Sequence, residues 1–351
     1  MTKKNKRKPY LLFSLILLLL LIVFGTLYVS NDLQGKGTKG ELVVVLVKEG
    51  DLLSDVSQTL QNQALIGQSF IFETYAKFIK ITGFKAGIYK VDRSWDAQTI
   101  LAYLSDASNT EKNDVVLTII PGDWAKDVAQ SISEVTNYTS DEILTLWNNK
   151  SYLASLDAQY DVITSDIDKP GVKVLLEGYL MPETYFIDPT SSIEVITKRI
   201  LDQTELFYKT NKASFEASSY SVHEIFTLAS IVQFEASKAT DMKMIAQVFY
   251  NRLDIPMLLQ SSVTVCYSLY TYTDWTQCEK NATIDSPYNT YKYPGLPLGP
   301  IDNPSATALL STLNPSPNDY YYFLAAVYGD GTVYYAKTYE EHYKNVLKYL
   351  R

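Results

Sequence analysis

The sequence contains few histidines and cysteines, the residues that most often bind zinc or act with a nucleophile in a catalytic triad. Its 351 residues include two histidines, His223 and His342, and two cysteines, Cys266 and Cys278. The histidines lie far apart, and no cysteine or carboxylate pattern of metal-ligand spacing surrounds them, which argues against a zinc site or a histidine-based triad. We therefore expect neither a metal nor another cofactor.

Outside the first nine residues, acidic side chains outnumber basic ones. Five cations lie in residues 1–9, and removing them from the net charge of −8 leaves −13 for the rest of the chain. Because such an acidic chain repels phosphate, nucleic acid is not expected as a partner. The hydrophobic content of 46% is ordinary for globular proteins.

One stretch lacks charge altogether. Residues 10–30 are 21 residues without a charged side chain, close to the roughly 20 that span a bilayer as a helix. A secretory signal peptide is the alternative, but its apolar run is usually shorter, and no clear small-residue cleavage site follows. We expect a cytoplasmic basic tail at 1–9, a single membrane-spanning helix at 10–30, and the remainder outside the membrane, extracellular or periplasmic.

Both cysteines lie in one short segment of this external part. Disulfides persist outside the cytoplasm, so Cys266 and Cys278 can close a loop. Two free thiols are equally compatible with the sequence.

A weak internal repeat marks two similar units. VLVKEGDLLSDVSQTL (45–60) and LTIIPGDWAKDVAQSI (117–132) share Gly-Asp and, four residues on, Asp-Val, at a constant offset of 72. In each, a β-rich run ends in a Gly-Asp turn that can cap a following amphipathic helix. The pattern predicts one strand-turn-helix unit per copy, whether by duplication or as a common supersecondary arrangement.

The first copy continues into a second helix, QSFIFETYAKFIKI, and a strand, AGIYKVD. This strand-helix-helix-strand order resembles a LysM-type module, a small fold that many proteins use to hold amino-sugar glycans. We expect a linker at 31–40 and a LysM-like βααβ module at 41–106. The polar SDASNTEKND then separates this module from a mixed α/β catalytic domain at 115–351, which gives an α+β fold class.

Residues 221–253 have helical periodicity from end to end. One apolar stripe of this predicted helix includes Glu235, a carboxylate where the pattern favours another aliphatic residue. Ser221 and Glu224 have capping-box spacing, which accounts for Glu224 locally. Glu235 has no such explanation, and desolvation on an apolar face is expected to raise its pKa.

Polar residues stand out in three further stretches. LLEGYLMPETYFI (175–187) is predicted to be a loop containing Glu177 and Glu183. NRLDIPMLLQSSVTVCYSLY places Gln260, Ser262 and Thr264 at alternate positions, and DSPYNTYKYPGLPLGPIDNPSATALL contains Asn289, Thr290 and Tyr291. Near the C-terminus, YYYFLAAVY and TVYYA predict a hairpin, and Thr338 and Glu341 predict the cap of a structural last helix that includes His342.

Five ordered segments resemble the signature segments of the endolytic murein transglycosylases, the MltG or YceG-like proteins. They are LASIVQFEAS, EGYLMPETY, LLQSSVTVCY, PYNTYKYPGLPLGPIDNPS and TYEEHYKNV. The resemblance implies an enzyme that cleaves the glycan strands of peptidoglycan internally, beside the membrane where new strands are made, and terminates their elongation. The implied partners are glycan strands, the cell membrane and peptidoglycan synthases, and the implied products carry 1,6-anhydro-N-acetylmuramic acid ends.

The resemblance also implies the site. The family's V-E-K-E is Val232-Gln233-Phe234-Glu235 here, so the essential second glutamate maps onto Glu235 and the first acid is missing. The usual S-D-P-T-V is SSVTV. Besides Glu235 as the catalytic residue, the candidate substrate-binding residues are Gln233, Glu177, Tyr179, Tyr185, Gln260, Thr264, Asn289 and Tyr291.

A single acid is sufficient for this chemistry. Glycosidases that use water need two carboxylates, whereas in a lytic transglycosylase the C6 hydroxyl of the muramoyl ring attacks its own C1. Glu235 would then act first as acid and afterwards as base. Two alternatives stay open: a hydrolytic muramidase, and a non-catalytic anchored glycan-binding scaffold.

Overall fold

The computed structural model describes residues 23–48, 50–110, 114–271, 274, 276–326 and 331–349. Helices and short antiparallel strand pairs alternate along the chain, which confirms the mixed α/β class. The chain divides into two compact units, Met1–Asp114 and Val115–Arg351.

The predicted membrane anchor is largely outside the described residues. Residues 1–22 belong to that undescribed part, and residues 23–32 are helical. In the described part of the chain, no helix combines the length and apolar character needed to cross a bilayer.

The first unit has a strand-helix-helix-strand core followed by a third helix. Its elements are β1 (Leu42–Val47), α1 (Leu53–Asn62), α2 (Ser69–Ile79), β2 (Gly87–Asp92), α3 (Ala97–Leu104) and a 3₁₀ turn (Ala107–Asn109). β1 and β2 are antiparallel, with Leu42 opposite Asp92 and Val47 opposite Gly87. Val45, Phe72 and Tyr89 are among the buried residues that join the strands to the helices, and this element order is the predicted one.

Both copies of the repeat form the same turn. Asp51 accepts a hydrogen bond from the backbone N–H of Lys48 at 2.8 Å, and Asp123 accepts one from that of Ile120 at 2.9 Å. Each aspartate therefore closes the turn before the helix. The prediction that the Gly-Asp turn supplies the helix cap was wrong.

The second aspartate of the motif caps each helix instead. Asp55 accepts a hydrogen bond from the backbone N–H of Leu52 at 2.8 Å, and Asp127 from that of Trp124 at 3.1 Å. Leu52 and Trp124 are the N-cap residues of the two helices. The offset of 72 thus relates the hydrogen bonds of the two turns as well as their residues.

The second unit contains most of the helices. Its elements are β3 (Val115–Thr118), α4 (Ala125–Val135), α5 (Ser140–Trp147), α6 (Lys150–Asp157), a 3₁₀ turn (Ser165–Ile167), β4 (Thr184–Ile187), α7 (Ile193–Thr210), α8 (Lys212–Ala217), α9 (Val222–Glu235), α10 (Ala239–Leu253), α11 (Ser262–Leu269), α12 (Thr276–Lys280), α13 (Ala306–Leu313), β5 (Tyr322–Ala325), β6 (Val333–Ala336) and α14 (Tyr339–Tyr349).

Two antiparallel strand pairs support these helices. β3 pairs with β4, so the stretch 175–187, predicted to be a loop, ends in a strand because Tyr185 and Ile187 alternate into the core. β5 pairs with β6, which confirms the predicted hairpin. The residues that connect these two strands, 327–330, lie outside the described part.

α9 is the central helix of this unit. Ile225 and Phe226 belong to one hydrophobic cluster, and Ile231 and Val232 belong to a second. The helix packs against α10 and α13, and the predicted capping box of Ser221 is present at its start. Among the described residues of α9, Phe234 near the C-terminal end is the one that is exposed.

The prediction of one continuous helix over 221–253 was wrong. α9 ends at Glu235, Ala236 is extended (φ −154°, ψ 151°), and α10 begins at Ala239. No proline or glycine causes this break. Its physical reason is tertiary: the reversal folds Met242 and Phe249 of α10 back onto the cluster that contains Ile231.

Cys266 and Cys278 form a disulfide that joins α11 to α12 across 12 residues of sequence. Replacing both with serine is expected to lower the unfolding free energy by about 3 kcal/mol, the loop-closure entropy of so short a loop. Thermal unfolding measures the change. Any catalytic activity should persist, and loss of activity in a double variant that is still folded would contradict a purely structural role.

Candidate active site

The C-terminal end of α9 opens into a cleft of about 680 Å³. Such a volume suits a few sugar rings. The lining comes from α9, α10, α11, α12, α14, β5 and adjoining loops. It includes Trp124, Phe234, Glu235, Arg252, Gln260, Ser262, Cys266, Glu279, Tyr291, Tyr322, Tyr339 and His342. Of the sequence-predicted site residues, Glu235, Gln260 and Tyr291 meet here.

Glu235 is the last residue of α9 and is half-buried at the cleft wall. The hydroxyl of Ser261 donates a hydrogen bond of 2.6 Å to its Oε1. Burial raises the pKa of the Glu235 carboxyl, while the Ser261 hydrogen bond and the nearby Arg252 cation oppose part of that rise. The carboxyl group therefore keeps its proton to a higher pH than an exposed glutamate does.

Ser261 is itself held by neighbouring threonines. Its N–H donates to Thr290 Oγ1 at 3.1 Å, and its carbonyl accepts from Thr264 Oγ1 at 2.7 Å. Thr264, predicted to contact substrate, is fully buried and does not line the cleft. The sequence analysis selected Gln260, Ser262 and Thr264 in this stretch but missed Ser261, which lies between the first two.

Arg252 supplies the buried positive charge of the cleft. It is 7% exposed, donates to the carbonyls of Tyr321 and Leu259, and its guanidinium lies 5.5 Å from the centre of the Tyr322 ring. Burial lowers the pKa of Arg252, and the Glu235 carboxylate opposes that change. No sequence signal distinguished Arg252 from other cations near helix ends.

His342 lies in the cleft rather than serving the last helix alone. The predicted cap is present, since the N–H of Glu341 donates to Thr338 Oγ1 at 3.2 Å. The imidazole stacks on Tyr322 with ring centres 5.4 Å apart, and among the described residues its buried Nδ1 has no hydrogen-bond partner. Burial and Arg252 lower the pKa of His342, so the ring stays neutral to a lower pH than an exposed histidine does.

Besides Thr264, four further predicted substrate-binding residues lie in the protein interior and do not line the cleft. Glu177, 2% exposed, accepts hydrogen bonds from the N–H of Ala125 and the hydroxyl of Tyr267. Asn289 donates to the carbonyls of Ala282 and Ile284. These two polar side chains hold the start of α4 and the 282–291 loop.

The two tyrosines of EGYLMPETY are also interior. Tyr179 stacks on Phe226 with ring centres 4.8 Å apart, and its hydroxyl is 3.0 Å from His223 Nδ1. Tyr185 donates a 2.6 Å hydrogen bond to the carbonyl of Met181. Each hydroxyl has a partner within the fold, so these rings support the core beneath the site.

Gln233 connects α9 to α13. Its Oε1 accepts a 3.0 Å hydrogen bond from the N–H of Ser305, the N-cap residue of α13. Gln233 also lines a second groove, which shares Phe234, Glu235 and Ala325 with the main cleft. The residue thus has a structural partner that its sequence position did not reveal.

Gln233→Glu is expected to keep the fold, because a carboxylate at a helix N-terminus accepts the same N–H favourably. The added negative charge should raise the pKa of Glu235 and extend activity to higher pH, with cleavage within a few-fold of the parent. A pH–rate profile measures this, and Gln233→Ala is the control that removes the acceptor. A shift of the alkaline limb to lower pH would contradict the proximity of the two groups.

Phe234 projects between the grooves. It is 47% exposed, and a Cβ at Gly122 would lie 3.3 Å from its ring. Trp124, which also lines the main cleft, stacks on Tyr270 with ring centres 5.2 Å apart. Sequence reasoning missed this aromatic surface beside Glu235, because an aromatic residue at that position usually fills a core.

Ser261→Ala tests the hydrogen bond to Glu235. Its loss should raise the pKa of Glu235, so the alkaline limb of the pH–rate profile moves to higher pH. Turnover should fall about tenfold as the carboxyl loses a charge-assisted bond that orients it. Ser268→Ala, which removes another buried hydroxyl of α11, should leave the profile in place; an equal shift in both variants would contradict the assignment.

Comparison with known proteins places the chain in a family. Residues 45–348 match the YceG-like family model. The endolytic murein transglycosylase of Bacillus subtilis (strain 168) is 33% identical over 310 residues, which cover 88% of this chain and 85% of that protein. The endolytic murein transglycosylase of Streptococcus pneumoniae serotype 2 is 31% identical over 361 residues, covering 98% of this chain and 65% of its own length.

A solved structure agrees with these matches. The crystal structure of a yceG-like protein from Listeria monocytogenes superposes with a TM-score of 0.61 at 33% identity, covering 88% of this chain and 99% of that one. Sequence and fold therefore agree over most of the chain. On both grounds, the chain belongs to the YceG-like family.

Proposed function

We propose that the protein is an endolytic lytic transglycosylase that cleaves the bond from N-acetylmuramic acid to N-acetylglucosamine within peptidoglycan strands. The observation that carries this proposal is Glu235, a carboxyl with a raised pKa that lines both the main cleft and a second groove. Two grooves that share this acid suit internal cleavage, because sugar units must extend in both directions from the cleaved bond. The names of its bacterial relatives support the same reaction.

Glu235 is assigned both proton transfers. It donates its proton to the glycosidic oxygen as the bond from C1 to that oxygen breaks, which leaves an oxocarbenium-like centre at C1. The C6 oxygen of the same ring then bonds to C1, and the C6 hydroxyl proton passes to the Glu235 carboxylate. No water is consumed, and the acid is restored for the next cycle.

The neighbours of Glu235 have separate roles. Ser261 orients the carboxyl, and Arg252 offsets its charge after the proton has left. Gln260 and Tyr291 are the predicted substrate contacts that reach the cleft, where they offer amide and hydroxyl groups to N-acetyl substituents. Phe234 and Trp124 present aromatic faces on which sugar rings can stack.

The remaining segments are assigned to placement of this catalytic unit, residues 115–351. Residues 10–30 would anchor the chain, with 1–9 in the cytoplasm, 31–40 leading outward and the enzyme on the outer face. Residues 41–106, which contain β1, α1, α2 and β2 in that order, would form a LysM-like module that holds glycan near the membrane. Cleavage there would end the elongation of nascent strands and places peptidoglycan synthases among the expected partners.

A hydrolytic muramidase is the second candidate, and one observation favours it. Glu279 also lines the cleft and is exposed, so a second carboxylate is available to activate water. Incubating the full chain in detergent with purified glycan strands separates the candidates by product mass. Anhydro ends support the proposal, whereas reducing ends or unchanged strands overturn it in favour of a hydrolase or a scaffold.

A further inference from the structure

Two phenylalanines of α2 are among the most exposed large apolar residues of the first unit. Phe70 is 77% exposed and Phe78 is 82% exposed. They lie eight residues apart, two helical turns and about 12 Å along the axis. Other apolar residues of the helix, such as Phe72 and Ala76, are buried against the core.

The N-terminal end of α2 is fastened to the helix at residues 23–32. The backbone N–H of Gln68 donates to Asp32 at 3.0 Å, and its side-chain amide donates to the hydroxyl of Tyr28 at 2.6 Å. A Cβ at Gly67 would lie 1.9 Å from Asp32 Oδ1. Glycine at this position therefore permits the close approach of the two segments.

The chain that follows this helix is fastened to the same unit. The carbonyl of Leu33 accepts a hydrogen bond from Ala97 N–H at 2.9 Å, and the N–H groups of Lys36 and Gly37 donate to the carbonyl of Arg93 at 2.8 and 2.9 Å. These links occupy the segment predicted to be a linker. The helix at 23–32 and the unit it leads into thus hold a fixed relation to each other.

All these links lie at one end of the unit, which we call the base: residues 32–37, 67–68, 93 and 97. The opposite end contains the start of β2 at Gly87, and Lys85 N–H donates to the carbonyl of Leu104 there. α2 begins at the base and runs toward the opposite end. Phe70 is consequently near the base, and Phe78 is farther from it.

The base contacts the C-terminal end of the uncharged stretch, residues 10–30. Tyr28, which Gln68 contacts, is itself within residues 10–30 and is 56% exposed. Tyrosine at the end of an apolar stretch is typical of the bilayer interface, where its ring is buried and its hydroxyl stays wet. Phe70, two residues from Gln68, then comes within reach of the same interface.

From this geometry we propose that the base of the first unit rests on the lipid surface, with Phe70 inserted into the interface and Phe78 clear of it. The partner is a phospholipid bilayer, and the inference rests on the anchor proposed above. An exposed phenylalanine gains free energy by leaving water for the acyl-chain boundary. The unit would then stand at a fixed angle to the membrane instead of swinging on a tether.

Photocrosslinking of the full chain tests this arrangement. A benzophenone-bearing phenylalanine replaces Phe70 or, as the matched control, Phe78, and each protein is reconstituted into vesicles of equimolar phosphatidylcholine and phosphatidylglycerol. Mass spectrometry then measures covalent lipid. We expect several-fold more lipid captured at position 70 than at 78, and Asp32→Ala, which releases Gln68, should lower capture at position 70.

The outcomes separate this inference from the proposals beneath it. Capture at 70 no greater than at 78 overturns the lipid contact. Failure of the chain to float with the vesicles overturns the anchor itself, and the inference falls with it. Cleavage of glycan is measured on the same preparations, so loss of the lipid contact alone is distinguishable from failure of the enzymatic assignment.

Discussion

Glu235→Gln is expected to abolish nearly all glycan cleavage, with a rate loss at the upper end of about 10²–10⁴-fold. Glutamine keeps the volume of the side chain and still accepts the hydrogen bond from Ser261, so the fold should persist. It has no proton to donate to the glycosidic oxygen and cannot take one from the C6 hydroxyl. The release of new strand ends, followed by mass spectrometry, measures the loss.

Glu279→Gln is the matched control, because it removes the second of the two carboxylates that line the cleft among the described residues. A transglycosylase with one acid keeps most of its activity in this variant, whereas a hydrolase that activates water through Glu279 does not. Glu235→Gln turnover within a few-fold of the parent would make Glu235 structural. The acid would then have to be sought elsewhere, and Glu177 is buried beneath the site while Glu183 lies outside its lining.

The unfolding free energy is expected to fall by several kcal/mol between about pH 5 and pH 9, on the order of the pKa shift of one buried carboxyl. Burial raises the pKa of Glu177 from 4.5 to about 8. In this interval the folded protein keeps a proton that the unfolded chain releases. The stabilisation is therefore complete below pH 4.5 and is lost as the pH rises through 8.

Asp302 acts in the same direction. Its side chain is fully buried, its two oxygens have no hydrogen-bond partner among the described residues, and burial together with Glu177 raises its pKa well above the usual range. Denaturant unfolding at several pH values measures the slope. Glu177→Gln should flatten it, and a parent protein whose stability is constant or rises over this interval would contradict the buried-proton account.

Features set by neighbouring residues were predictable from the sequence. The capping boxes at Ser221 and Thr338 and the hairpin of β5 and β6 depend on residues close along the chain. The strand-helix-helix-strand order of the first unit follows from periodicity in the same way. Glu235 stood out because a carboxylate interrupted an apolar stripe.

Features set by contacts between residues far apart in sequence were not predictable from the sequence. The end of α9 at Glu235 depends on α10 folding back onto a core that local sequence does not describe. Arg252 and His342 line the cleft, and Ser261 contacts Glu235, each from a different part of the chain. Tyr179 and Asn289 belong to motifs, but their side chains bond to other residues in the protein interior. A motif shows that a residue type is needed at a position, but it does not show whether that residue contacts substrate or the rest of the protein.

Cleavage in water enriched in heavy oxygen tests the central claim most directly, namely that Glu235 drives attack by the sugar's own C6 hydroxyl. The full chain is incubated with glycan strands in this water, and mass spectrometry measures the masses of the new muramic acid ends. The account predicts anhydro ends without heavy oxygen, absent in Glu235→Gln. Reducing ends that carry heavy oxygen would show that water is the nucleophile and would contradict it.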